Sequence, residues 1–489
     1  MNSSLIMLEI SVIGLGLVLM LADLFVPAER RRFIGYAAIV ALGVLLVTSL
    51  SGNGSCGQFG TAFGGMFVND ALSLFFKQLF IVAAILVLFM AAEFSDKLAE
   101  GSVAEYYSLI LFALAGMLFA ASSNDFTMLF VSIELITITF YVLVSFQRSK
   151  LQSLEAGVKY LILGALSSSF MVFGIALIWG TTGELNFTKL ADFLVKNPDV
   201  AGSQIFLLGV LLVLVGLGFK IAAFPFQIWV PDVYQGAPTP TTAFLAVGSK
   251  AAGFVLLLRV LFTAVPSVTM HWEKLLIVIS GVTILYGNLC ALPQRNLKRL
   301  FGYSSISHAG YLLLGVAALN ASGQAAILYY FAGYLFSVLA GLLVIALVLR
   351  QLDTEDVSGL AGLSQRSPLL AATMTISMVS LAGIPPLAGF FGKFLLLKSV
   401  VEAAEVSGHE SYYWLVAVAL AGVVISLYYY FGVVRAIYWS REVKDLSPIQ
   451  LSAPAMVTAW ICIGGILWLG IFPATVLNLA QQAVIIAAK

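Results

Sequence analysis

The chain alternates long apolar runs with short polar connectors. Fourteen runs lie near 5–25, 33–50, 71–92, 105–122, 125–146, 155–180, 204–230, 239–263, 273–293, 297–319, 323–349, 368–403, 412–439 and 453–472. A helix of about 20 residues crosses the roughly 30 Å hydrocarbon core of a bilayer. The pattern therefore predicts an all-α polytopic membrane protein of about 14 transmembrane helices. The N-terminal MNSSLIMLEI has no basic stretch, so the first run is expected to remain as a helix and not to be cleaved as a leader. Pro473 ends the last run, and ATVLNLAQQAVIIAAK is expected at the membrane interface.

Two runs are interrupted. Pro225 breaks 204–230, with Pro231 opening PDVYQGAPTP just after it, and Pro385 and Pro386 break 368–403. Broken backbone at membrane depth survives only where protein or water satisfies its freed groups. The stretch 156–169, AGVKYLILGALSSS, resembles 326–339, AILYYFAGYLFSVL, with Tyr160 falling on Tyr330 and Ser167 on Ser337. The interrupted runs are the seventh and the twelfth. An offset of five runs is odd, so the two copies are expected to be inverted. The predicted organisation is 1–104 for spans one to three and 105–264 for a first five-helix repeat. A second repeat follows over 265–440, then the last span and tail over 441–489. Each repeat holds one Pro-broken helix, and such breaks in matching positions of inverted halves point to a transport path.

Loop charge gives the orientation. Thirteen Lys and Arg follow odd-numbered runs, from Arg30, Arg31 and Arg32 through Lys97, Arg148, Arg350 and Arg366 to Arg441 and Lys444. About four (Lys189, Lys196, Lys274 and Lys489) follow even-numbered ones. By the positive-inside rule both termini are expected to be periplasmic. Composition agrees with a membrane chain: 61% hydrophobic, 10% charged, and a net charge of +1. Nothing in it suggests nucleic acid. Cys56, Cys290 and Cys462 lack metal or redox spacing and read as small apolar fillers. No phosphate loop, HExxH, CxxC pair or GxSxG elbow is present, so no metal or cofactor site is expected in this chain.

The chemistry lies in charges inside the runs. Glu134 reads as the one acid deep in a span, and Lys220, Lys250 and Lys393 lie in spans or beside breaks. A charge at a helix centre costs about 3 kcal/mol or more in a bilayer, so it is rarely kept without use. A desolvated ammonium holds its proton less tightly than one in water, and a nearby carboxylate restores the hold. Glu134 with Lys220 fits a switchable pair, Lys250 a relay and Lys393 a next station. Each also has a structural reading, foremost a static Glu134–Lys220 salt bridge. Lys159 follows Glu155 at i,i+4, as Glu402 follows Lys398. Arg259 and Arg435 read as helix anchors or snorkelling side chains. Lys298 reads first as an orientation charge. His308, in YSSISHAGY, fits either a packed ring or a proton relay. The serines around it and at 167–169 fit either helix contacts or ordered water.

Three stretches carry a family resemblance. GLGFKIAAFPFQIWVPDVYQGAPTPTTAFLAVGSK, NLKRLFGYSSISHAGYLLLG and MVSLAGIPPLAGFFGKF resemble the antiporter-like membrane subunits of respiratory complex I, over nearly the whole chain. The resemblance implies proton translocation from cytoplasm to periplasm across the bacterial inner membrane. Electron transfer from NADH to quinone in other subunits would drive it, with no redox centre in this chain. It implies neighbouring antiporter-like and small membrane subunits, and the lipid bilayer, as partners. Motif by motif, it places the family's buried glutamate on Glu134 and its lysines on Lys220, Lys250 and Lys393. It adds Lys159, Lys298 and His308 as further members. Relatives often read PFHxW after the first break, whereas this chain reads PFQIW with Gln227, so a titrating ring is not required there. The chain ends soon after the last run, without the lateral helix of the largest paralogue. Other readings are a cation/proton antiporter subunit, a hydrogenase membrane module and a structural membrane scaffold.

Overall fold

The structure, a computed structural model, describes residues 3–27, 30–51, 58–95, 103–351, 355–439 and 447–485. Cys56, Lys97, Arg441, Lys444, Lys489 and the 440/441 boundary lie outside them. The chain opens with α1 (Met7–Asp23), α2 (Arg32–Leu50) and α3 (Ala71–Phe94). Next come α4 (Val103–Ala121), α5 (Phe126–Val144) and α6 (Leu151–Thr182). The short α7 (Phe187–Lys196) leads to α8 (Gln204–Ile221), which breaks and resumes as α9 (Trp229–Gly236). Then follow α10 (Thr239–Ala264), α11 (Glu273–Ala291), α12 (Leu297–Ala317) and α13 (Ala321–Gln351). The second broken element is α14 (Pro368–Ala382) with α15 (Ala388–Ser407). The fold closes with α16 (Ser411–Trp439), α17 (Ala453–Ile471) and α18 (Ala474–Gln482).

Twelve of the described helices are long and apolar enough to cross a membrane. The chain is a multi-pass membrane protein. Predicted run ten is occupied by α12, which falls outside that set because Lys298, Arg299, its serines and His308 lower its apolarity. Run twelve is split between α14 and α15. Two features were not expected. The helix after the first break runs on to Gly236, because WVPDVYQG is too polar to extend an apolar run. A small antiparallel hairpin, β1 (Gly60–Ala62) with β2 (Phe67–Asn69), caps one end of α4. Its three-residue strands are too short to give a periodicity. The tail folds as α18 and packs on α13 and α3.

Helix position follows side-chain chemistry. The membrane-crossing stretch of α10 is buried on every side, and α13 is nearly so, as suits helices apolar all round. In contrast α1, α2, α6 and α16 bury only a third or less of theirs, leaving broad apolar faces for lipid or partners. The two breaks share one hydrogen-bond pattern. Ala222 (φ 64°) and Gly383 (φ 88°) each turn the chain left-handed at a helix end. Ala223 N–H then returns to Gly218 O at 2.9 Å, and Ile384 N–H to Val379 O at 3.2 Å. These bonds satisfy carbonyls that the helix end leaves free. A tight turn follows in both, Phe226 N–H to Ala223 O and Leu387 N–H to Ile384 O.

The first three helices are tied to the centre by buried ions that the hydropathy pattern hides. Glu9 of α1 pairs with Lys77 of α3 at 2.7 Å, with both side chains at most 1% exposed. Lys77 also donates to Asn69 Oδ1 at 2.8 Å. Asp70 caps α3 by accepting from Ser73 N–H at 2.8 Å, and it grips Arg259 of α10 with both oxygens. Burial alone would push the Asp70 carboxyl up, but Arg259 and the Ser73 bonds outweigh it and hold it below the usual carboxylate value. Arg259 Nε donates to Ala121 O at 2.8 Å. One reading is thereby extended and one decided. Glu9, in the first turn of α1, is a further acid buried in a span besides the deeper Glu134. Of the two readings of Arg259 the helix anchor holds and the snorkelling one does not: it is 2% exposed and pinned among α3, α4 and α10. One charge in a long apolar window barely changes its mean, which is why Glu9 and Lys77 were not visible. Removing one partner of a buried pair costs about 3–5 kcal/mol, whereas apolar replacement of both is often neutral. Lys77→Met alone should therefore lower the melting temperature of the assembled protein markedly. The double variant Glu9→Leu/Lys77→Met should recover most of the loss, as read by thermal unfolding of the purified assembly.

Candidate functional site

The polar residues predicted for the site converge on α5, α8, α10, α12 and the second break. Lys220 occupies the last turn of α8, two residues before its break, and is 6% exposed. Its amine donates to Thr137 Oγ1 of α5. Glu134 lies one turn away on the same face of α5, half-buried, and accepts from Ser168 Oγ of α6. Glu134 and Lys220 thus form no direct salt bridge; they communicate across one turn of α5. Lys220 Nζ also lies 5.8 Å from the ring centre of Tyr160, which packs on Trp229.

Lys250 starts the α-helical middle of α10, between π turns at Leu245–Ser249 and Val260–Ala264. It is 2% exposed and donates to both the carbonyl and the hydroxyl oxygen of Ser305 in α12. One turn further, Gly253 lets α10 press against the Lys220 turn. A Cβ there would stand 2.8 Å from Ile221 Cγ2 and 3.2 Å from Lys220 Cβ. The glycine contact therefore brings the Lys250 segment of α10 close against the Lys220 turn of α8.

Beyond Lys250 the polar line continues through hydroxyls. The Ser305 hydroxyl meets those of Tyr234 and Tyr334, each at 3.1 Å. His308, one turn along α12 and 2% exposed, has Tyr330 Oη at 2.5 Å on Nδ1 and Tyr430 Oη at 2.9 Å on Nε2. Its ring stands 5.1 Å from that of Tyr334 and 6.3 Å from that of Tyr311. Lys393 of α15 lies 4.8 Å over the Tyr311 ring. Its amine donates to Leu381 O at 2.8 Å and Ala382 O at 3.1 Å, carbonyls freed by the break at Pro385 and Pro386. His308 therefore sits between the Lys250 and Lys393 stations.

The remaining predicted residues lie off this line. Lys159 has a side chain 42% exposed and binds Glu155 at 2.7 Å and Asp232 at 2.8 Å. Asp232 also takes Arg299 at 2.5 Å. A small cavity of about 70 Å³ opens beside Lys159, Asp232 and Gln235. Lys298 is 5% exposed, pairs with Glu355 at 2.9 Å and donates to Ala237 O at 3.0 Å. Gln227, after Pro225, is 2% exposed, and its Oε1 has no protein hydrogen-bond partner. Lys398 pairs with Glu402 at 3.6 Å on the surface. Among the described residues no cluster of His, Cys, Asp or Glu is placed to hold a metal. Sequence reasoning missed the tyrosines at 234, 311, 330, 334 and 430. Tyr330 and Tyr334, four apart on a buried helix, were the available signal, because a buried phenol needs a partner.

The comparisons fit this geometry. Residues 123–426 match the family described as NADH:quinone oxidoreductase/Mrp antiporter, TM. Among solved structures, a chain of respiratory complex I from Thermus thermophilus superposes with a TM-score of 0.78 at 31% identity, covering 97% of this chain and 100% of that one. A chain of the archaeal membrane-bound sulfane sulfur reductase superposes at 0.85 with 25% identity, covering 99% and 97%. The fold and site thus define a proton-antiporter-like membrane subunit. The NADH-quinone oxidoreductase subunit N of Desulforamulus reducens is 39% identical over 485 residues, 99% of this chain and 98% of its own. That of Moorella thermoacetica is 37% identical over 484 residues, 99% and 98%. The chain belongs to the antiporter-like membrane subunits of NADH–quinone oxidoreductase, in the subunit N branch.

Overpacking at a tight helix contact costs about 1–3 kcal/mol. Gly253→Leu should therefore separate α8 from α10, lower the melting temperature of the assembly by several degrees and reduce proton translocation. An unchanged melting curve with unchanged translocation would remove the close contact from the account.

Proposed function

We propose that protons cross this subunit along Glu134, Lys220, Lys250, His308 and Lys393, with Pro225, Pro385 and Pro386 opening the backbone beside it. One observation carries the reading. Among the described residues the buried lysines fall into two groups. Lys77 and Lys298 each face a carboxylate, as the buried Arg259 does. Lys220, Lys250 and Lys393 are held only by hydroxyl and carbonyl oxygens. A lysine paired with a buried carboxylate cannot lose its proton without stranding a charge. A lysine on neutral acceptors can, and its neutral amine still accepts from a neighbouring hydroxyl. This division also disfavours a pure scaffold, in which every buried charge would be paired.

The steps follow from the contacts. Glu134 supports the charged form of Lys220 across the turn of α5. A proton leaving Lys220 moves toward Lys250, and the charge gained there works against a second proton on Lys220. From Lys250, Ser305 and Tyr334 lead to the edge of His308, whose two nitrogens can accept on one side and donate on the other, with water bridging from the Ser305 hydroxyl. Beyond Tyr330, water again bridges to Lys393, whose ammonium is received by the freed carbonyls of Leu381 and Ala382; the Tyr311 hydroxyl donates to Ala419 O and only its ring faces Lys393. Lys159, with Asp232 and its small cavity, fits a cytoplasmic entrance. Lys298 fits a charge lock at the same end.

The chain acts as a membrane-arm subunit of a proton-pumping NADH–quinone oxidoreductase, beside other membrane subunits. NADH and quinone react elsewhere in that assembly, and this subunit has no redox centre. Loop charge supports a cytoplasmic basic end and periplasmic termini in the bacterial inner membrane. The halves 105–264 and 265–440 act as inverted repeats, each supplying one break. Lys220→Ala should leave the complex assembled and cut NADH-driven proton pumping by roughly tenfold or more in inverted vesicles, the scale of one lost relay step. Full pumping by an assembled variant would end this reading. Sodium-driven proton flux without NADH would instead favour an antiporter.

A further inference from the structure

At the end of the bundle rich in Lys and Arg, a groove of about 580 Å³ lies between α11 and α16. Leu292, Leu300 and Phe431 form its apolar wall, and Arg295 and Arg435 stand in it together. Neither guanidinium has an acidic or hydrogen-bonding partner among the described residues. Elsewhere at that end Arg31 pairs with Asp23, Lys298 with Glu355 and Arg299 with Asp232. From Arg435 an apolar stripe descends α16 toward the middle of the membrane. Phe431, Tyr428, Val424 and Leu420 follow at helical spacing and are 46%, 73%, 67% and 50% exposed. Arg435 and Leu420 are 15 residues apart, about 22 Å along the helix. That is the reach of a phospholipid from phosphate to chain end. An exposed Tyr428 near the charged end suits the headgroup level.

We propose that this groove binds an anionic phospholipid. Arg295 and Arg435 hold its phosphate, and one acyl chain lies along the Phe431–Leu420 stripe. Two unpaired guanidinium groups supply charge and forked donors that match phosphate oxygens. The apolar stripe selects a lipid over a free anion. Basic pockets between membrane helices are the ordinary setting for such headgroups.

The test uses the whole purified complex. After mild delipidation, phosphatidylglycerol is titrated back, and bound lipid is counted by native mass spectrometry. The unaltered complex should bind at least one phosphatidylglycerol that Arg295→Gln/Arg435→Gln binds roughly 30-fold more weakly, the effect of two lost headgroup charges. Phosphatidylcholine and inorganic phosphate should not compete. Equal lipid binding by both complexes would overturn the proposal. Competition by inorganic phosphate would make it a free-anion site, and loss of a neighbouring subunit from the variant would make it a protein interface. If the double variant does not assemble, Arg435→Gln alone is read the same way. No preference for phosphatidylglycerol over phosphatidylcholine in the unaltered complex also overturns it.

Discussion

An ammonium group inside a bilayer must find oxygen, and the way it finds it sets what the residue can do. In this chain the buried lysines meet two kinds of oxygen. Carboxylates hold Lys77 and Lys298 and turn them into ties between elements. Lys220, Lys250 and Lys393 are held by hydroxyls and carbonyls instead. The helix breaks belong to the same constraint. A break at Gly383 exposes Leu381 and Ala382 carbonyls, and Lys393 takes both. The backbone gains a donor and the amine gains acceptors, so each resolves the other's desolvation.

The first three helices then have a clear part. They carry none of Lys220, Lys250 and Lys393, yet Asp70 at the start of α3 fixes Arg259, nine residues along α10 from Lys250. Arg259 in turn bonds the last turn of α4. The segment bearing Lys250 is thereby tied to α3 as well as to α4. Gly253 brings the same segment against α8. Position along α10, the fully buried helix that bears Lys250, is thus set from two directions.

Much of the fold was legible because the bilayer demands long apolar runs, and run length is readable without tertiary context. The breaks were legible for the same reason, since Pro225 and Pro385 interrupt otherwise continuous runs. Lys220, Lys250 and Lys393 stood out as charges with no local partner. What escaped depended on pairing across the fold. Glu9 and Lys77 are 68 positions apart in sequence, so their mutual satisfaction has no local trace. Arg259 read as either a helix anchor or a snorkelling residue, and the choice was open because its partner Asp70 lies near the start of a different span. The tyrosines around His308 come from three helices, and only their convergence makes them a cluster. Lys159 was legible as an i,i+4 partner of Glu155, but its second partner, Asp232, comes from the far side of the first break.

The stretch from Lys250 to Lys393 has a property that none of its members has singly. Ser305, Tyr330, Tyr334 and Tyr430 each bear a hydroxyl that can give or take a hydrogen bond, and His308 meets two of them with its two nitrogens. His308 between two such hydroxyls has no built-in polarity: turning both hydroxyls round and moving the ring proton to the other nitrogen gives an equally bonded arrangement. In the proposed route, direction would therefore have to come from outside this cluster, and the cluster itself could keep one structure throughout.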